Sequence, residues 1–151
     1  MDGLHLTLRF IGPTPADRIP GIERAMADAA VGVAPFTVGL RGGGAFPPSG
    51  RPRALWLGIE DGASDLGRIR DTLNARLVAA GWPGDDRPYR AHLTVARTDG
   101  VRGGPDAAAA LRAAAGTFAA RFTADRLVLF ESITGGGAAR YVPRSEQLFE
   151  A

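Results

Sequence analysis

The chain contains no cysteine and no lysine. Without cysteine there is no disulfide framework, no thiolate metal site and no cysteine nucleophile. Without lysine, all 18 basic residues are arginines, yet the formal net charge is only +2. Arginine forks suit phosphate, but heavy use of Arg, Ala and Gly is also what a GC-rich genome produces, so charge alone names no partner. Aromatic residues are few, at 7%. No apolar run approaches the roughly 18 residues that a membrane span requires, and no membrane partner is expected. The first residues show no basic region followed by an apolar stretch, so no secretory signal is visible and the cytoplasm is the expected compartment. What is present is ordinary for a globular chain: 151 residues, 45% apolar and 23% charged, enough for one domain or for two small lobes sharing a core.

Glycine and proline punctuate short elements along the whole length. Leu4 to Ile11 alternates Leu4, Leu6 and Leu8 with His5, Thr7 and Arg9, and period 2 predicts a strand. Residues 15–31 read as a helix with Ile19, Ile22 and Met26 on a loose stripe. Phe36 to Arg41 predicts a strand, Gly42–Gly44 a loop, and Ala54 to Glu60 a central strand. Ser64 is expected to cap a helix with Leu66, Ile69, Leu73 and Leu77 on one face, closed by Gly81. After a loop over 82–90 come a strand from Ala91 to Arg97 and a helix from Pro105 to about Ala120. A long strand from Phe122 to Glu131 follows, then Gly135–Gly137 and one or two short strands. The mixture lacks a βαβ rhythm and predicts an α+β fold.

The two halves repeat. His5-Leu6-Thr7-Leu8 recurs as His92-Leu93-Thr94-Val95, and Phe36-Thr37 follows the first at nearly the spacing of Phe122-Thr123 after the second. A triple glycine and then an aromatic residue, Trp56 or Tyr141, complete each set. The order of these landmarks predicts two similar lobes within one domain over 1–151, built around the strands at 4–11 and 91–97.

The chain's two histidines occupy equivalent positions, and residues i and i+2 of a strand share a face, so each projects beside its own threonine. If the lobes face each other, two imidazoles and two hydroxyls meet in one cleft. That set suits phosphate ester chemistry, with one imidazole accepting a proton from an attacking oxygen while the other protonates the leaving oxygen. Threonine hydroxyls can hold the non-bridging oxygens. A lone His beside Thr in a strand is more often structural; two in register, with no other histidine, reverse that balance. Zinc or iron is the rival, but no carboxylate lies within either motif strand to complete a site, and neither metal nor cofactor is expected.

The segments HLTLRF (5–10) and HLTVAR (92–97) resemble the paired HxTx motifs of the 2H phosphoesterase superfamily. Within it the chain is similar to the RNA 2′,3′-cyclic phosphodiesterases, also called 2′-5′ RNA ligases (the LigT or ThpR group), through GLRGGGAFP (39–47), ALWLGIE (54–60), DRPYRAHLTVAR (86–97), DRLVLFES (125–132) and ARYVP (139–143). The resemblance implies two pseudo-symmetric α+β lobes of antiparallel strands and helices, an active-site cleft between them, and catalysis without metal. It implies His5 as proton donor, His92 as the acceptor that activates water, and Thr7 and Thr94 as phosphate ligands. The implied reaction opens a terminal 2′,3′-cyclic phosphate of RNA to a 2′-phosphomonoester, with reverse 2′-5′ ligation as a secondary activity. Partners are then RNA ends or nucleotides bearing that cyclic phosphate, and no obligate protein partner is indicated.

Arg97 is a further candidate phosphate ligand by the HLTxxR form of the second motif, although its parity opposes that of His92 and Thr94 and a bulge, or the reach of the side chain, would be needed; Arg9 has the matching parity, and a solvated surface role is the alternative for both. Phe46 and Tyr141 are possible base-stacking residues, with core packing as the alternative, while Trp56 and Trp82 read as core and loop anchor. The family opens with a strand and helix before its first motif. This chain starts four residues before His5, which implies a truncated N-terminus and an unpaired sheet edge. Two other readings stay open: an RNA- or nucleotide-binding module without turnover, and a phosphodiesterase acting on small cyclic nucleotides.

Overall fold

The computed structural model of the chain describes residues 4–98, 103–135 and 139–150. It divides into two compact units, the first comprising the chain up to Leu8, Thr37–Ser64 and Arg90–Thr123, the second Arg9–Phe36, Asp65–Tyr89 and the chain from Ala124. Each unit draws on both halves of the sequence, and the two HxT segments share the first. The fold is α+β, as expected.

In the first unit, strands β1 (Phe36–Phe46), β2 (Ala54–Ile59), β3 (His92–Arg97) and β4 (Ala119–Ala124) form a sheet in the order β3-β2-β1-β4. Helix α3 (Gly104–Ala115) packs beneath it. Leu40, Leu57, Leu93 and Ala115 form a buried cluster with Leu6, Ile59, Leu111 and Ala120 against it; Ala45, Leu55 and Ala108 form another. Leu6 and Leu93 therefore face the helix, and their neighbours face the other way.

Several expected boundaries move. The strand expected over 4–11 pairs at one position, Leu6 opposite Leu93, because beyond Leu8 the chain leaves this unit. Gly42–Gly44 is not a loop: β1 runs through it. Gly42 takes φ +66° at an irregularity between Leu40 and Gly43, a conformation in which glycine forms a β-bulge without strain. Helix α3 stops at Ala115, short of Ala120, since Gly116 and the Thr117-Phe118 pair disfavour continuation. The long strand expected over 122–131 breaks at Asp125, whose carboxylate accepts hydrogen bonds from Arg126 and whose carbonyl accepts from the Phe149 amide at 2.8 Å. Part of the last triple glycine, Gly136 and Gly137, lies outside the described residues.

The second unit holds α1 (Ile19–Ala30), α2 (Ala63–Ala79, from its third residue) and the antiparallel pair β5 (Arg126–Ile133) and β6 (Arg140–Leu148). Ile22, Ala25 and Met26 of α1 are buried, and α1 packs on both strands. The expected α2 stripe, Leu66, Ile69, Leu73 and Leu77, is buried throughout. Ser64 lies inside α2 rather than capping it. At the other end, Trp82 donates to the Leu77 carbonyl (2.9 Å) and Gly81, at φ +87°, donates to Val78 (2.9 Å). This is the Schellman arrangement that glycine closes. No helix among the described residues is long and apolar enough to cross a membrane.

Arg70 leaves the charged face of α2 and is buried. Its guanidinium donates to the Asp71 carboxylate (2.9 Å) and to the carbonyls of Asp85 and Arg87, and lies 5.9 Å from the Tyr89 ring. A fixed cation thus shapes the loop that leads into β3. Burial pushes the Tyr89 phenol up to about 12, with Arg70 opposing the shift. The neutral phenol is favoured in the fold, so the stability it contributes is intact below pH 10 and is lost as pH rises from about 10 to about 12. In a Tyr141→Phe variant, where Tyr89 is the sole tyrosine, absorbance near 295 nm should titrate with a midpoint close to 12; a midpoint near 10 would refute this packing.

Candidate active site

The bridge between Leu6 and Leu93 is antiparallel. Stepping one residue each way sets His5 against Thr94 and Thr7 against His92. Because both leucines face α3, all four polar side chains lie on the opposite face of the sheet. Each histidine stands across from the other motif's threonine, an arrangement with local two-fold symmetry. Diagonal neighbours in such a ladder lie about 7–8 Å apart, so the two imidazoles are offset by about the width of a small tetrahedral group held between them. All four residues are half-buried.

The hydrogen bonding of one histidine is directly readable. His92 Nδ1 lies 2.7 Å from the carbonyl oxygen of Arg90. A carbonyl only accepts, so Nδ1 carries the hydrogen, and in the neutral ring Nε2 holds the lone pair.

Neighbouring strands extend the face. Trp56 pairs with Thr94 and with Gly44, and Gly58 pairs with His92. The Trp56 ring stacks on Phe46 (centroids 5.1 Å apart), stands 6.3 Å from His92, and is covered by the Arg90 guanidinium at 4.6 Å. Phe46 also meets the His92 ring at 5.2 Å and 80°. Glycine gives this cluster its room: a Cβ on Gly44 would stand 2.4 Å from Trp56 Cζ2. Trp56 is thus more than core. It is the floor on which Phe46, His92 and Arg90 converge, a role its apolar strand context concealed.

Arg97 joins the same face. The pairing slips between Leu55 and Trp56, so that Thr94 opposes Trp56, Ala96 opposes Leu55 and Arg97 opposes Ala54. Val95 is the extra residue, and the bulge brings Arg97 to the side of Thr94. Tyr141 lies in the second unit, on β6, with its ring edge-on to Phe130 at 6.3 Å. Arg9 also belongs to the second unit, donating to Asn74 Oδ1 and to the Pro83 carbonyl. Trp82 is buried beneath the Arg18 guanidinium at 3.9 Å, an anchor as expected. Among the described residues, no group of three or more His, Asp or Glu side chains is arranged to hold a metal ion.

The sequence model of the 2'-5' RNA ligase superfamily matches residues 2–136. An RNA 2',3'-cyclic phosphodiesterase of Aeropyrum pernix is 36% identical over 104 residues, 69% of this chain and 58% of that protein. The chain spans between 52% and 58% of the length of this and two further curated relatives it matches. The crystal structure of TT0787 from Thermus thermophilus superposes with a TM-score of 0.74 at 25% identity, covering 97% of this chain and 78% of that one. The structure of Escherichia coli LigT complexed with 3'-AMP gives 0.70 at 22% identity, covering 99% and 79%.

The close approach at Gly44 is testable. Gly44→Ala should drive the indole off Phe46 and lower stability by about 1–3 kcal/mol, the usual cost of overpacking. In a Trp82→Phe background, Trp56 emission should shift to the red. An unchanged spectrum and unfolding midpoint would show that the strand and ring have slack at this point.

Proposed function

The chain belongs to the 2'-5' RNA ligase superfamily, and we propose that it opens the terminal 2′,3′-cyclic phosphate of RNA to a 2′-phosphomonoester by acid–base catalysis between its two histidines. The observation that carries this reading is the Leu6–Leu93 bridge, which sets each histidine across from the other motif's threonine on one face. Phosphate between the two rings meets a proton acceptor, a proton donor and two hydroxyls.

His92 suits the base. Its Nδ1–H is engaged by the Arg90 carbonyl, so neutral Nε2 accepts the proton as water attacks phosphorus. His5, as imidazolium, delivers its proton to the 3′-oxygen as that P–O bond breaks. The bond formed is P–O from water, the 2′-oxygen stays on phosphorus, and the two histidines exchange protonation states in each turnover. Thr7 and Thr94 donate to the non-bridging oxygens. Arg97, on the same face, offers a charged fork for them. With a 5′-hydroxyl end in place of water as the attacking group, the same steps join RNA through a 2′-5′ linkage. We take the cytoplasm, where RNA is cut and processed, as its compartment.

His5→Ala and His92→Ala should each lower turnover of a cyclic-phosphate oligoribonucleotide by roughly 100-fold or more. Phosphorus NMR should report a 2′-phosphate product, and EDTA should leave the rate unchanged. Near-full activity in both variants, or a 3′-phosphate product, would sink the assignment.

A further inference from the structure

Arg90 differs from the ion-paired arginines of this chain. Arg68, Arg70, Arg76, Arg87, Arg121, Arg126 and Arg144 each hold a carboxylate within 4 Å. Arg90 is exposed, with no carboxylate within ion-pair distance among the described residues; its guanidinium instead covers the Trp56 ring. Lying over an aromatic face fixes a guanidinium in place while leaving its N–H donors, which radiate in the guanidinium plane, available to another group. The backbone ties it further, since the Arg90 carbonyl is the group that receives the His92 Nδ1–H. The charge is therefore held one ring away from the imidazole, beside the four HxT side chains and not among them. The segments that build this part of the face, 46–59 and 90–98, contain four arginines and no carboxylate, so the local field favours a polyanion.

Resting on the reading above, we propose that Arg90 binds the phosphodiester group next to the terminal cyclic phosphate, on its 5′ side, and so makes an RNA end a better substrate than a cyclic mononucleotide. A mononucleotide has no phosphate to place there.

The test compares a short oligoribonucleotide ending in a 2′,3′-cyclic phosphate with the cyclic mononucleotide of the same base. Arg90→Gln keeps the backbone carbonyl and removes the charge. It should lower the preference for the oligonucleotide, as the ratio of kcat/KM values, about tenfold, chiefly through KM. The salt dependence of binding an oligoribonucleotide ending in a 2′-phosphate should flatten by about 0.7 in log–log slope, the share of one phosphate contact on a single strand. Arg90→Lys should restore most of that slope. Equal losses on both substrates, or an unchanged slope in Arg90→Gln, would overturn the proposal and leave Arg90 as a cover for Trp56. If the wild type binds the 2′-phosphate end with an Arg90-dependent slope but turns nothing over, the hydrolytic reading falls and the phosphodiester contact of Arg90 stands. If it does not bind at all, both fall.

Discussion

Leu6 and Leu93 meet across a single antiparallel bridge, and through strand alternation that contact fixes what lies on both faces of the sheet. One face is apolar and rests on α3; the other carries His5, Thr7, His92 and Thr94. Energetically the apolar face dominates. A bridge hydrogen bond is worth about 1 kcal/mol net, whereas burying a leucine as fully as Leu93 is worth about 1.5–3 kcal/mol. The first motif is thus seated by the packing of Leu6 on the cluster of Leu40, Leu57, Leu93 and Ala115, with little ladder to help it. The chemistry of one face depends on the hydrophobic effect at the other.

The same economy explains the glycines of β1 and β2. Gly43 lets Ala115 of α3 approach so closely that an added Cβ would lie 2.9 Å from the alanine methyl, while Gly44 makes the equivalent room above the sheet for the Trp56 indole. Consecutive residues clear space on opposite faces, one for the core and one for the site. Gly58 does the same beside His92, where a Cβ would stand 2.6 Å from the Arg41 carbonyl. A glycine-rich strand is intrinsically weak; here its weakness is offset by what it allows to pack.

That dual use also marks the limit of what the sequence discloses. Alternation over residues 5–7 and 92–94 placed the four HxT residues on one polar face, because period 2 is a local property. The buried stripe of α2 was legible for the same reason. Gly42–Gly44 read as a loop because composition cannot separate glycine that bends the chain from glycine that admits a neighbour. The side of the sheet that Arg97 occupies was hidden by the bulge at Val95, which depends on the register with β2 and has no signature in β3 alone. The break at Asp125 turns on a hydrogen bond from Phe149, distant in sequence. Trp56 looked like core because its site partners, Phe46, His92 and Arg90, reach it only through pairing across strands.

Symmetry sets a last requirement for the proposed chemistry. Two HxT motifs related by a two-fold are equivalent, yet the proposed acid and base must differ. A perfectly symmetric pair has no preference for which ring holds the proton. The surroundings of His92 are explicit: a carbonyl on Nδ1, Phe46 edge-on to the ring, and Trp56 with its guanidinium cover on the neighbouring strand. The carbonyl cannot donate, so it commits His92 to presenting Nε2 as acceptor whenever the ring is neutral. The Phe46 and Trp56 rings oppose rotation of the imidazole away from that pose. Residues outside the motif thus set the pose of His92, and Arg90 takes part twice, its backbone on the histidine and its side chain over the tryptophan.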